Sequence, residues 1–199
     1  MFIKNVKSNL LKNFIYSQLL LLFFLFICFI IKPEILLNNE GISAFGIDIK
    51  TIVPYAIGYL LCSYFIGKSV KYMKHNSNPY KIIFYSMNTI AILFIALVFT
   101  PYAINTGFNW IHTIISTSLF LTELGLIIYL TIITKNNFIN ILLIIGQIIS
   151  GIIAMYSIYP ILPITGKLNF LLQGEVLFQT FFDIGIIIIF LKYKITEVT

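Results

Sequence analysis

Glu175, Gln179 and Asp183 follow one another at four-residue spacing inside an apolar run from Leu168 to Leu191. On a helix that spacing sets all three on one face. Inside a membrane each ionisable group costs roughly 2.5–3.5 kcal/mol on insertion scales. A span that carries two carboxyls must therefore turn them toward protein or water. A second run, from Phe108 to Thr134, carries His112, Ser116 and Glu123. At about 100° per residue these three also fall within roughly 40° of one another.

The two runs are expected to meet. Measured from the same end of each span, His112 and Glu175 come out at about 6 and 10 Å, and Glu123 and Asp183 both near 22 Å. Facing helices would then form two rungs. The outer rung pairs His112 with Glu175, the inner pairs Glu123 with Asp183, and Ser116 and Gln179 lie between. Two unpaired carboxylates cannot both stay charged in low dielectric, so the inner rung either shares a proton or holds a cation. The outer rung could be an ion pair reached by external water. Such a column can relay protons, bind a cationic group or seat a lipid head group; it can equally be polar glue between helices. His112 alone, beside Trp110, would be an interface anchor or a cap.

The elements that must position these groups are apolar throughout. Of 199 residues, 59% are hydrophobic and 10% charged, with a mean hydropathy of +0.99. A soluble domain is about a quarter charged, so this is a membrane protein. The fold expected is all-α: a polytopic bundle of six transmembrane helices at 14–31, 51–67, 82–99, 108–134, 138–159 and 168–191, forming one domain. The segment 14–31 follows Lys4, Lys7 and Lys12 as in a signal peptide. No small-x-small site succeeds it, so it is read as an uncleaved span. Pro54 falls in a first helical turn, where a missing N–H does no harm. Turns or loops are expected at Lys135–Asn137 and around Pro160, Pro163 and Gly166.

All 13 basic residues are lysines, so no guanidinium fork is present for phosphate or carboxylate clamps. Lysines 4, 7, 12, 68, 71, 74, 81, 135, 192 and 194 fall on one side of the expected spans; 32, 50 and 167 fall on the other. Positive residues stay inside. Both termini are thus expected in the cytoplasm of a cell-membrane protein. The net charge of +6 is accounted for by this topology and points to no nucleic acid. His75 sits in the lysine-rich loop and is read as solvated near anionic lipid heads.

Other polar residues have simpler readings. Tyr55, Tyr59 and Ser63 recur along the second run, and Tyr156 and Tyr159 end the fifth; aromatics there read as interface anchors. Ser86, Asn88, Thr89, Gln147 and Ser150 read as interhelical hydrogen-bond partners, and Gly146 and Gly151 as points of close approach. Cys28 and Cys62 read as buried apolar fillers. No GxSxG, HExxH or Walker sequence occurs. Two distant histidines make neither a bis-His haem site nor a three-His zinc site. No cofactor and no metal is expected, and no enzymatic motif is present. The string GEVLFQ, Gly174–Gln179, matches part of a viral-protease tag site by coincidence.

Three stretches carry a resemblance: GISAFGIDIKTIVPYAIGYLL (Gly41–Leu61), the FTPY…WIH run (Phe99–His112) and SLFL (Ser118–Leu121). With Ser43, Gly46 and His112 as the matching positions, the chain resembles FRAG/DRAM/Sfk-type six-helix membrane proteins and related bacterial six-span families. The resemblance implies six helices. In eukaryotic members it also implies work in lipid-anchor remodelling, autophagy or plasma-membrane organisation. Three functions fit the residues. The first is a binding protein whose outward-facing intramembrane pocket, built from His112, Ser116, Glu123, Glu175, Gln179 and Asp183, takes a lipid, a small molecule or a cation. The second is a transporter or the substrate-binding subunit of one. The third is an intramembrane lipid-modifying enzyme using Glu123 and Asp183 as acid and base.

Overall fold

Without water to bond to, an apolar run of about twenty residues satisfies its backbone by forming a helix, and this chain does so repeatedly. The computed structural model describes residues 2–35, 40–71, 78–102, 106–134, 138–158 and 170–192. They form α1 (Phe2–Ile31), a short 3-10 helix (Ile42–Gly46), α2 (Ile52–Val70), α3 (Asn78–Phe99), α4 (Thr106–Ile133), α5 (Phe138–Ile158) and α6 (Leu171–Lys192). The expected turn at Lys135–Asn137, the loop with Pro160, Pro163 and Gly166, Tyr159, Lys74 and His75 lie outside the described residues.

Five of these helices are long and apolar enough to cross a membrane: Asn9–Ile31, Tyr80–Phe99, Gly107–Ile133, Phe138–Ser157 and Leu171–Leu191. The chain is an all-α integral membrane protein. The helix expected as a span at 51–67 forms over Ile52–Val70 but is not among the five. Tyr55, Tyr59, Ser63, Tyr64 and Lys68 dilute its apolar character. The last span starts at Leu171 rather than 168, because Phe170 precedes the helix.

The helices alternate in direction. α2 lies antiparallel along α1: Gly58 meets Phe24, and the Cys28 thiol lies 3.7 Å from the Thr51 carbonyl. α2 continues onto α3 through the Ser63 hydroxyl, which donates to the Ala91 carbonyl at 2.8 Å, and through the edge-on rings of Tyr59 and Phe94. α3 packs on α4, and α6 touches both α4 and α1, so α1, α2, α3, α4 and α6 close a ring. The seam between α1 and α6 is built on Phe14, whose ring meets Phe182 and Phe190 edge-on. α5 packs chiefly on α6. Of the five apolar spans α6 is the most enclosed, with 44% of its window buried against 28–33% in the others.

α5 and α6 meet backbone to backbone at Gly174. A Cβ there would stand 2.7 Å from the Ala154 backbone nitrogen and 2.8 Å from the Ser150 carbonyl oxygen. Gly146 faces the Phe181 ring and Gly151 the Phe120 ring, so these two admit side chains rather than backbone. The glycine at which two backbones meet is the one inside GEVLFQ.

Two of the five hydroxyls and amides expected to bond between helices, Asn88 and Ser150, bond within their own. Asn88 donates to Phe84 O at 2.8 Å, and Ser150 to Gly146 O. Short polar side chains reach the carbonyl one turn back more readily than a neighbouring helix. Gln147 is 1% exposed, and neither atom of its amide has a partner among the described residues.

The 3-10 helix Ile42–Gly46 is folded back onto the bundle. Ala44, Phe45 and Gly46 are buried, and the Gly46 backbone lies against the Tyr55 ring. Thr51 Oγ1 donates to Phe45 O at 2.8 Å, and Asp48 O accepts the N–H groups of Thr51 and Ile52. Lys32 Nζ meets Asp48 Oδ2 at 3.0 Å. The Lys50 N–H and the Lys32 ammonium together hold the Asp48 carboxyl below the usual aspartate range, and Asp48 in turn raises Lys32.

The glycine contacts predict a contrast. Gly174→Ala should cost about 1–3 kcal/mol by forcing α5 and α6 apart. Gly67→Ala, where a Cβ meets nothing within 4 Å, should gain up to about 1 kcal/mol from helix propensity. Thermal unfolding in detergent reads both; equal midpoints for the two variants would remove the close approach.

Candidate functional site

α4 and α6 bring their polar faces together around one cavity. It has a volume of about 160 Å³, and His112, Ser116, Glu123, Glu175, Gln179 and Asp183 all line it. α4 stands against α6 through the stacked rings of Phe120 and Phe178. Gln18 of α1, Tyr55 and Tyr59 of α2 and Phe94 of α3 complete the wall, and Ile42 and Ser43 of the 3-10 helix also border it. Apart from Thr117 and Thr180 the rest of the lining is apolar, with Leu21, Leu25, Leu97 and Leu119 among it. Leu22, Leu121, Met155 and Thr180 line the space and are also exposed on the outside of the bundle. The cavity is therefore open at its side.

The outer pair differs from the two-rung expectation, while at the inner level Glu123 and Asp183 do come within electrostatic reach of each other. Glu175 Oε2 accepts the backbone N–H of Ile42 at 2.7 Å. His112 Nδ1 lies 2.6 Å from the Thr100 carbonyl oxygen. A carbonyl can only accept, so Nδ1 carries the proton. The Tyr102 ring stands edge-on to the imidazole at 5.7 Å. His112 thus caps a carbonyl just past the end of α3, where a helix leaves its last acceptors without intrahelical donors, and Glu175 pins the 3-10 helix over the cavity. Each is engaged with backbone, because a loop and a helix end lie nearer to them than they do to each other.

At the inner level Gln179 intervenes. Its Nε2 donates to Asp183 Oδ1 at 3.0 Å, one turn along α6, and the same side chain lies against the Glu123 carboxyl. Glu123 is 1% exposed, and its Oε1 has no partner among the described residues. The Ser116 hydroxyl turns back to the Thr113 carbonyl at 3.1 Å.

Three lining groups were not singled out as binding residues in the sequence. Tyr55 and Tyr59, read as interface anchors, are 4% and 7% exposed and contact each other with ring centroids 4.5 Å apart. Tyr55, Tyr59 and Ser63 form a stripe at four-residue spacing, and that stripe faces the bundle because α2 is covered by α1 and α3. Gln18 is 5% exposed, with its Oε1 unpartnered among the described residues. The signal for it was the Ser17–Gln18 pair inside an otherwise apolar run. Cys28 and Cys62 are free and fully buried.

The chain matches no protein-family model, no curated protein and no solved structure in the comparisons made.

The Ile42–Glu175 bond should be separable from the rest of the site. Glu175→Ala removes the acceptor and should cost about 1–3 kcal/mol, with faster maleimide labelling of a Ser43→Cys probe. Glu175→Gln keeps an acceptor oxygen and should label at nearly the parent rate. Identical labelling of all three would show that Glu175 does not hold the loop.

Proposed function

We propose that this chain is a six-span protein of the cell membrane, with both termini in the cytoplasm, that takes a small amphipathic molecule such as a lipid into the cavity between α4 and α6. One observation carries the reading: the polar residues of two membrane-spanning helices converge on a single cavity whose remaining walls are largely apolar and whose side is open. Binding sites for small molecules combine apolar walls with a few placed polar groups in this way. The side opening would face acyl chains, so a molecule dissolved in the bilayer reaches the cavity without crossing water. α2 is counted as the sixth span because it runs antiparallel between α1 and α3. The reading agrees with membership of the FRAG/DRAM/Sfk-type group, which belongs to the same proposal.

An acid–base role for Glu123 and Asp183 has less support. Gln179 occupies the position between them, and His112 has its ring nitrogen committed to a backbone carbonyl. The site favours holding a molecule over transforming it.

Native mass spectrometry of protein extracted from its own membrane should find a small molecule retained. Ser116→Phe, which fills the cavity, should lose it; Leu142→Phe, on the exposed face of α5, should keep it. Retention by both variants, or by neither and not by the parent, would defeat the reading. Topology is checked by cysteines at positions 39 and 76, expected to label from outside and inside the cell respectively. The opposite pattern would invert the bundle.

A further inference from the structure

We propose that the molecule held in the cavity is an organic cation, a protonated amine or quaternary ammonium group joined to an apolar body. This rests on the binding reading above and specifies its ligand. Three of the chain's seven acidic residues, Glu123, Glu175 and Asp183, line this one space, and no lysine lines it among the described residues. In low dielectric a carboxylate is costly without a counter-charge. Among the described residues no lysine lines the space, and its one imidazole, His112, is turned through Nδ1 to the Thr100 carbonyl rather than to a carboxyl. Glu123 is buried with one carboxyl oxygen unpartnered, and Gln18, which lines the same space, carries a second unpartnered oxygen among the described residues. Both of these orphaned atoms are oxygens, which suits a donor that brings positive charge.

The remaining walls fit the rest of such a molecule. Tyr55, Tyr59, Phe94, Phe120 and Phe178 line the cavity, and aromatic faces attract ammonium groups through the ring quadrupole. The leucines give the apolar body a matching surface. A bare metal ion fits less well. No three His, Cys, Asp or Glu side chains converge on a metal position among the described residues, and Glu175 and Asp183 are eight residues apart, about 12 Å along the helix. Carboxyls spread over that length, among apolar walls, accept an elongated molecule more readily than a sphere.

The test uses three probes that share an eight-carbon tail: octyltrimethylammonium, octyl sulfate and octanol. The full chain carrying Ser116→Cys is placed in phosphatidylcholine nanodiscs, and protection of the new thiol from maleimide is measured. Cys28 and Cys62 are fully buried and stay silent. Octyltrimethylammonium should protect at a concentration about tenfold below octanol, and octyl sulfate should not protect. Adding Glu123→Gln or Asp183→Asn should raise the half-protecting ammonium concentration about tenfold, with the thermal midpoint confirming a folded protein. If octanol or octyl sulfate protects as well as the ammonium, the cavity binds but the cationic class is wrong. Unchanged protection in both carboxyl variants also overturns the class. If no probe protects, the binding reading falls with it.

Discussion

A polar side chain in a membrane-spanning helix has to be turned away from acyl chains, and most of this bundle follows from meeting that constraint for α6. Glu175, Gln179 and Asp183 lie on one face of it, and α1, α2, α3 and α4 are arranged around that face. α5 covers another side through the contact at Gly174, where backbone meets backbone. The close approach and the buried carboxyls belong to the same helix. The first lets α6 be enclosed; the second requires it.

The class of fold was legible because apolar length is a strong signal: runs of about twenty residues bounded by lysines or prolines have few alternatives in a bilayer. The second helix was harder, since its tyrosines and Ser63 weaken that signal while serving the interior. The set of six residues on α4 and α6 could be read from helical spacing alone. Their pairing could not. Depth along a helix says which residues share a level, whereas His112 and Glu175 are settled by a carbonyl at Thr100 and an N–H at Ile42, both supplied by connecting segments whose path no periodicity encodes. Gln179 was placed between the rungs by spacing, and its contact with both carboxyls needed the rotation of α6 relative to α4.

Tyr55 and Tyr59 show the same limit from the other side. An aromatic near a span end is ordinarily an anchor at the lipid–water boundary; here the neighbouring 3-10 helix folds over the end of α2 and places the rings inside. Gly174 is a further case. Small residues mark close contacts in general, yet among Gly146, Gly151 and Gly174 only the last meets backbone, and the difference depends on the rotation of α5 against α6.

The ring is closed by Phe14 of α1 against Phe182 and Phe190 of α6, which joins the earliest of the six helices in the chain to the latest. Because α6 follows the other five helices in the chain, its two carboxyls meet a space whose other polar groups, Gln18, Tyr59 and Glu123, all stand on helices that precede it.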